Sequence, residues 1–370
     1  MDDDQDDADT KPGASVTPEL FREWRLPRYG RVNPERMDNP VWEWLIKSEI
    51  SAYWAKKEFD GATLLEDGPG WSFKRFGQSS TELEDGRIVL IAGEHEDSYD
   101  SDFFIYNDVV VKNPNGTLEI YCYPKEIFIP TDSHSATLAG NRIVLIGSLG
   151  YPKERKPGTT QVYVLDLPAF AINAIECTGN SPGWLHKHTA AYVPDENAIL
   201  ITGGMIFTGD EDRQFRENID DWKLHLADWR WERLTQRRWQ QWELRRESGE
   251  LNSLFYIENF AFWSRFKGNK PADEQLNSNK EALGFEPDVD LFAELYSPPV
   301  PYEKIPENED EYGVCRIRVN GVTVRYVVDI WSVRIAVEED LPASTTETLV
   351  SDLQNKLSAL EKTPYEIIRL

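Results

Sequence analysis

The run Ile88-Val89-Leu90-Ile91-Ala92-Gly93 is followed 55 positions later by Ile143-Val144-Leu145-Ile146-Gly147-Ser148. Another 55 positions on comes Ala198-Ile199-Leu200-Ile201-Thr202-Gly203-Gly204. A short polar segment precedes each run: Gln78–Thr81, His134–Thr137 and His188–Ala191. A turn separates the pair each time: Glu84-Asp85-Gly86, Ala139-Gly140-Asn141 and Pro194-Asp195-Glu196-Asn197. A third β-type segment follows a longer loop (Tyr106–Val111, Val162–Leu167, Trp222–Leu226), and a fourth completes each unit (Leu118–Tyr123, Ala171–Glu176, Trp229–Leu234). Four short strands at a fixed period, with glycine closing the second, are the signature of sheets stacked side by side. A continuous apolar second strand fits burial on both faces.

These residues resemble the Kelch repeat family. The resemblance rests on the His134-Ser135-Ala136-Thr137 strand, the apolar strand ending in Gly203-Gly204, the aromatic in or before strand three, and Trp229 or Trp231 in the last strand. It covers residues 71–235. The double glycine is complete only in the third unit, the first having Ala92-Gly93 and the second Gly147-Ser148. The resemblance implies a mainly β chain, a Kelch-type β-propeller, complete or partial, with an N-terminal helix and a C-terminal hairpin-helix segment. Three blades do not close a ring. Further blades are therefore expected from the flanks, since open strand edges invite aggregation.

Around the repeats, residues 1–18 read as an acidic, self-repelling tail. Residues 19–70 form a helical segment packing on the propeller. Asn39 is its N-cap and Pro40 its first residue, Trp42, Leu45, Ile46, Ile50, Tyr53 and Trp54 form one apolar face, and Gly61 ends it. Residues 236–313 read as a helix over 236–247, a polar loop over 267–279 and an acidic, proline-punctuated linker. In 314–370, Asn320-Gly321 turns a hairpin, and Ser344-x-x-Glu347 is a capping box opening a helix with Leu349, Val350, Leu353, Leu357 and Leu360 on its apolar face. This last segment is either a small α+β module or a closing blade.

Sixty-five Asp and Glu against 40 Lys and Arg give a net charge of -25. That opposes nucleic-acid binding, which runs on Lys and Arg displacing counterions, and docking on anionic membranes. Six of the charges are Asp residues in the first ten positions. The start is not a basic region followed by an apolar one, so no secretory leader is expected. Three cysteines make no disulfide framework and favour a reducing, cytoplasmic location.

The densest group of polar ligand-type residues is Glu94, His95, Glu96, Asp97, Asp100 and Asp102, in the loop after strand two of the first repeat. In Kelch-type blades that loop lies on a face where partners bind, and these six residues are the expected partner contacts. Glu96-x3-Asp100 begins an iron-binding spacing that some Kelch-type proteins use, but Phe104 stands where the histidine would be. His134 and His188, with Gln78 at the matching place, occupy equivalent positions. They are candidate metal ligands, and equally candidates for hydrogen bonding between blades. No nucleophile elbow, phosphate loop, dinucleotide fingerprint or zincin motif is present, so no catalytic residue and no cofactor is assigned. Arg213–Arg246 interleaves aromatic and basic residues, but acids running through it cancel the charge. The expected function is a protein-binding module, its specific version an inhibitor or immunity protein for a basic partner. The alternative is a metal-assisted enzyme working from the central cavity through His134 and His188.

Overall fold

The structure is a computed structural model that describes residues 16–60, 69–97, 100–210, 214–306 and 313–370, without the side chains of Asp60, Asp97, Asp100, Ser101 and Asp102. It is mainly β, in several antiparallel sheets, and divides into two compact units, residues 1–236 and 237–370.

The first unit holds three up-and-down sheets. The first runs Ser79–Glu82, Ile88–Ile91, Val109–Lys112 and Leu118–Cys122, with Glu35–Arg36 added on its outer edge. The second runs Ser135–Ala139, Arg142–Ile146, Val162–Asp166 and Ile172–Ala174. The third runs Thr189–Val193, Ala198–Thr202, Trp222–His225 and Arg230–Arg233. The expected four strands per repeat are present, and the register corrects one detail. Ile91 pairs with Ser79, Ile146 with Ser135, and Thr202 with Thr189. Thr202 is thus the equivalent of Ile146, and the second spacing is one residue longer than the sequence alignment takes it to be.

Alternation along the apolar strands shows why they are apolar throughout. Ile143 and Leu145 pack with Val89 and Ile91 of the first sheet. Val144 and Ile146 point the other way, onto Ile199 and Ile201 of the third. Each such side chain removed from water contributes about 1.5–3 kcal/mol. Gly147 sits in the left-handed region at φ +74°, and a Cβ there would lie 2.2 Å from the Leu185 carbonyl oxygen, so glycine lets the second sheet touch the third.

The two ends of this stack differ. The far face of the first sheet is covered by helices Pro18–Trp24, Pro40–Ser48 and Ala52–Asp60, with Trp42 stacked on Trp71 at 4.8 Å against Val110 and Ile120. Among its described residues the N-terminal flank therefore supplies helices and one two-residue strand, not the additional blade expected of it. Asn39 caps as predicted, its Oδ1 accepting from the Val41 and Trp42 N–H groups. The single helix expected there is broken at Glu49, which is left-handed at φ 55°, and Trp54 is exposed instead of joining the core. Gly61 lies outside the described residues, as does the tail to residue 15. The far face of the third sheet carries Thr189, Thr202, Lys223, His225 and Glu232, with His225 and Glu232 paired at 2.7 Å.

The second unit is a six-stranded sheet ordered Glu303–Lys304, Val314–Val319, Val322–Val328, Ser332–Glu338, Trp239–Arg246, Tyr365–Arg369. The helix expected over 236–247 is the strand Trp239–Arg246, which pairs on both sides, with Ser332–Glu338 and Tyr365–Arg369. Ladder bonding on two edges overrides the helix propensity of its Gln, Glu, Leu and Arg residues. The polar loop expected over 267–279 belongs to a helix, Lys270–Leu283, which ends on left-handed Gly284. Asn320 and Gly321 are both left-handed, as the tight hairpin requires. Helix Ala343–Glu361 buries Leu349, Val350, Leu353, Leu357 and Leu360 as expected, but it starts after Pro342 without a side-chain cap, so Ser344 forms no capping box. Strands 314–370 join Trp239–Arg246 in this sheet, and it is an α+β unit in its own right. The Glu361 carboxylate is fully enclosed, pairs with Arg246 at 2.6 Å and accepts from the Ser253 N–H at 2.9 Å.

Candidate functional site

In an up-and-down sheet the segment entering strand one and the loop between strands two and three share one end. The three repeats are tied together at that end by backbone bonds. The Ser133 N–H donates to the Gly77 carbonyl and the Lys187 N–H to the Ser133 carbonyl, both at 2.8 Å. The Gly93 N–H donates to Thr131 and the Ser148 N–H to Leu185, both at 2.9 Å. Gly77, Ser133 and Lys187 are all left-handed, at φ 61°, 54° and 53°. A left-handed serine and lysine cost conformational energy, and such strain gathers where structure is held for a purpose.

An open cleft of about 630 Å³ lies here. Phe76, Gln78, Glu94, Phe103 and Ile105 line it from the first repeat, Asp132, His134, Leu149 and Arg155 from the second, and Lys187 from the third. The loops between strands two and three carry its walls. The first folds into a hairpin, Glu94–Asp97 with Asp100–Ile105, and the second contains the turn Pro152–Glu154. The Ile105 N–H donates to the Tyr151 hydroxyl at 2.9 Å, joining the two. In the third repeat a small sheet, made of Trp184–His186 from before its first strand and Met205–Phe207 and Phe215–Glu217 from after its second, sets Phe207 and Phe215 beside Arg155.

Asp132 is buried. Its Oδ1 accepts from the Gly150 N–H at 2.8 Å and its Oδ2 from the Ser133 hydroxyl at 3.1 Å. Burial raises its pKa above the usual carboxylate value despite those bonds. Glu94 is raised too, by burial and then by the nearby Asp132 charge. Arg155 donates from Nε to the Leu149 carbonyl and from Nη2 to the Gly150 carbonyl, each at 3.0 Å, and desolvation lowers its pKa.

Of the six expected partner contacts, Glu94 lines this cleft. His95 turns aside, its Nδ1 bonding the Lys74 carbonyl at 2.9 Å, and Glu96 is exposed outside the cleft. The side chains of Asp97, Asp100 and Asp102 lie outside the described residues. Asp132, Arg155 and Lys187 complete the charged set. Arg155 stands in the second repeat's loop equivalent to that of Glu94, where the repeat alignment itself puts a basic residue on this face; Lys187 has no motif around it, and the sequence signal that could have found Asp132 is its place two residues before the conspicuous His134.

His134 and His188 act between sheets. Nε2 of His134 bonds the Ser79 hydroxyl at 2.9 Å, and Nε2 of His188 bonds the Ser135 hydroxyl at 2.8 Å. Among the described residues no three His, Cys, Asp or Glu side chains are grouped to hold a metal ion. Cys122 is buried and its thiol pKa is pushed up by desolvation, and Cys177 is pushed up to about 11 for the same reason, so neither is a ready thiolate. No helix among the described residues is long and apolar enough to cross a membrane.

No family model matches this sequence. No curated protein is similar to it in sequence either. Among solved structures the chain is similar to the structure of YjhT, at 13% identity over 44% of this chain and 70% of that one, with a TM-score of 0.27.

Proposed function

We propose that residues 71–235 form a partial Kelch-like propeller and that the chain is a protein-binding module, docking a partner across the loops at the cleft end. The observation that carries this reading is the pairing of Phe76 and Phe103, exposed at 71% and 42%, with charged groups on a rim built by consecutive repeats. Exposed aromatics beside charge, on loops fixed by inter-sheet bonds, are what interface anchors are made of. The rim carries both signs, Glu94 and Glu96 against Arg155 and Lys187. Among the described side chains, a basic partner, the inhibitor or immunity version, is therefore supported through Glu94 and Glu96. The metal-assisted enzyme is the weaker reading, because each candidate histidine bonds a serine hydroxyl through Nε2 and, among the described residues, no three ligand side chains are grouped to hold a metal ion.

Affinity capture from the native host with the whole chain, beside the Phe76→Ala and Glu96→Lys variants, tests the reading. A partner held by the parent and lost by both variants supports it. A partner held equally by all three refutes docking at this face. Weaker capture at high salt by the parent, absent in Glu96→Lys, supports a basic partner.

A further inference from the structure

The Arg155 guanidinium is fixed and has no carboxylate in direct contact with it. Two backbone carbonyls hold Nε and Nη2, and the rings of Phe215 and Phe207 lie 5.2 and 5.8 Å from its central carbon. Among the described residues no carboxylate comes within ion-pair distance, and Nη1 has no protein partner. Lys187, across the same cleft, likewise has no ion pair, and its backbone is pinned by the Ser133 carbonyl. Asp132 is the nearby buried acid, yet both its oxygens are committed to Gly150 and Ser133. Asp132 is thus close enough to be felt but makes no bond to Arg155, and a partly desolvated cation with a free N–H edge gains from an anion that contacts it directly. The guanidinium's planar edge suits a carboxylate.

We infer that the cleft is a receptor for a small organic carboxylate, anchored by Arg155 with Lys187 as its second cation. The volume of about 630 Å³ is that of a small-ligand site. The apolar walls, Phe76, Phe103, Ile105 and Leu149, take a ligand with an aromatic or aliphatic body. Glu94 repels a second carboxylate and accepts a hydrogen bond from a hydroxyl. An apolar 2-hydroxy acid thus fits better than a dicarboxylic acid. This inference does not depend on partner docking, since Glu96→Lys disturbs the rim of that surface and no group of this receptor.

The test is titration calorimetry on the full chain with three matched probes: 3-phenyllactate, its neutral amide, and phenylsuccinate. The acid is expected to bind saturably and the amide about tenfold or more weakly, as loss of a charge-assisted pair demands. Arg155→Gln is expected to lose the preference for acid over amide. Lys187→Ala, on an exposed side chain that no core contact needs, is expected to weaken the acid several-fold with an unchanged melting temperature. Glu94→Gln is expected to improve phenylsuccinate selectively. Equal binding of acid and amide, or no saturation by 3-phenyllactate up to about 50 mM, well above the range of specific small-ligand binding, overturns the assignment. Binding confined to an acidic peptide also overturns it and assigns Arg155 to the partner protein instead.

Discussion

Ser79 and His134 are joined by a hydrogen bond of 2.9 Å across the first two sheets, and Ser135 and His188 repeat it at 2.8 Å across the next two. Each serine opens the first strand of its sheet, and each histidine immediately precedes the first strand of the following sheet. The bond is thus a property of the repeat junction.

Removing the serine hydroxyl leaves an imidazole nitrogen without its partner. Ser79→Ala and Ser135→Ala are each expected to destabilise the first unit by about 1–2 kcal/mol. His188→Gln is expected to cost less than His188→Ala, because Gln78 holds the matching position in the first repeat, where its amide donates to the Ala92 carbonyl. Urea denaturation of the four variants measures this ordering.

The buried histidines set a pH dependence. Desolvation lowers His134 and His186 to about 4 and His188 to about 3, with Lys187 and Arg155 adding to the effect on His186, and His134 and His186 to that on His188. In the unfolded chain these rings titrate near 6.5. Between pH 6.5 and 4 the unfolded state therefore binds protons that the folded state refuses, and stability falls as pH falls. Each ring contributes up to about 1.4 kcal/mol per pH unit in that window. Glu94 and Asp132, raised above the usual carboxylate range, act in the opposite direction nearer their own titration. Unfolding curves at pH 7 and pH 5 are expected to show the loss, and His134→Gln to reduce it.

Arg75 is the most committed cation of the first sheet. Its side chain is fully enclosed, pairs with Asp108, donates to the Ala92 carbonyl and lies 3.5 Å from the Tyr106 ring centre. Asp108 also accepts from the Trp71 indole N–H at 2.7 Å. Arg75→Ala leaves that carboxylate buried with one donor, at an expected cost of about 3–5 kcal/mol. Replacing both partners, as Arg75→Met with Asp108→Leu, is expected to cost less than the sum of the single changes, which a double-mutant cycle measures.

Gly147 and Gly140 separate two reasons for glycine. Both are left-handed, but a Cβ at Gly147 meets the Leu185 carbonyl whereas one at Gly140 meets nothing within 4 Å. Gly140→Ala is expected to cost about 1 kcal/mol, a backbone effect alone, and Gly147→Ala several times more, through separation of the second and third sheets. Thermal melts of the two variants compare them directly.

The repeat was legible because its signals are local: apolar strands, turn residues and glycine at each strand end. The Asn39 cap and the Asn320-Gly321 hairpin were legible for the same reason. Trp239–Arg246 was not, since its strand state is decided by partners about 90 and 120 residues away in sequence. The cleft was half legible. Glu94 stood in a conspicuous acidic loop and Arg155 in the equivalent loop of the second repeat, but Lys187 joins them only because the third repeat brings its entering segment to the same end. The His134 and His188 reading as inter-sheet bonds could be weighed in the sequence, but the serine partners emerge only from the register.

The unequal faces of the three-sheet stack give the array a direction. Each junction joins the same two kinds of surface: a forward one such as Val89 and Ile91, and a backward one such as Ile143 and Leu145 or Ile199 and Ile201. Helices occupy the first backward surface, and the last forward surface carries Leu200, Thr202, Lys223 and His225 in place of the aliphatic pairs. A duplicated middle repeat would thus be received between the second and third sheets, where both surfaces match, and refused beyond the third. The array can lengthen from within, while its last sheet acts as a terminator.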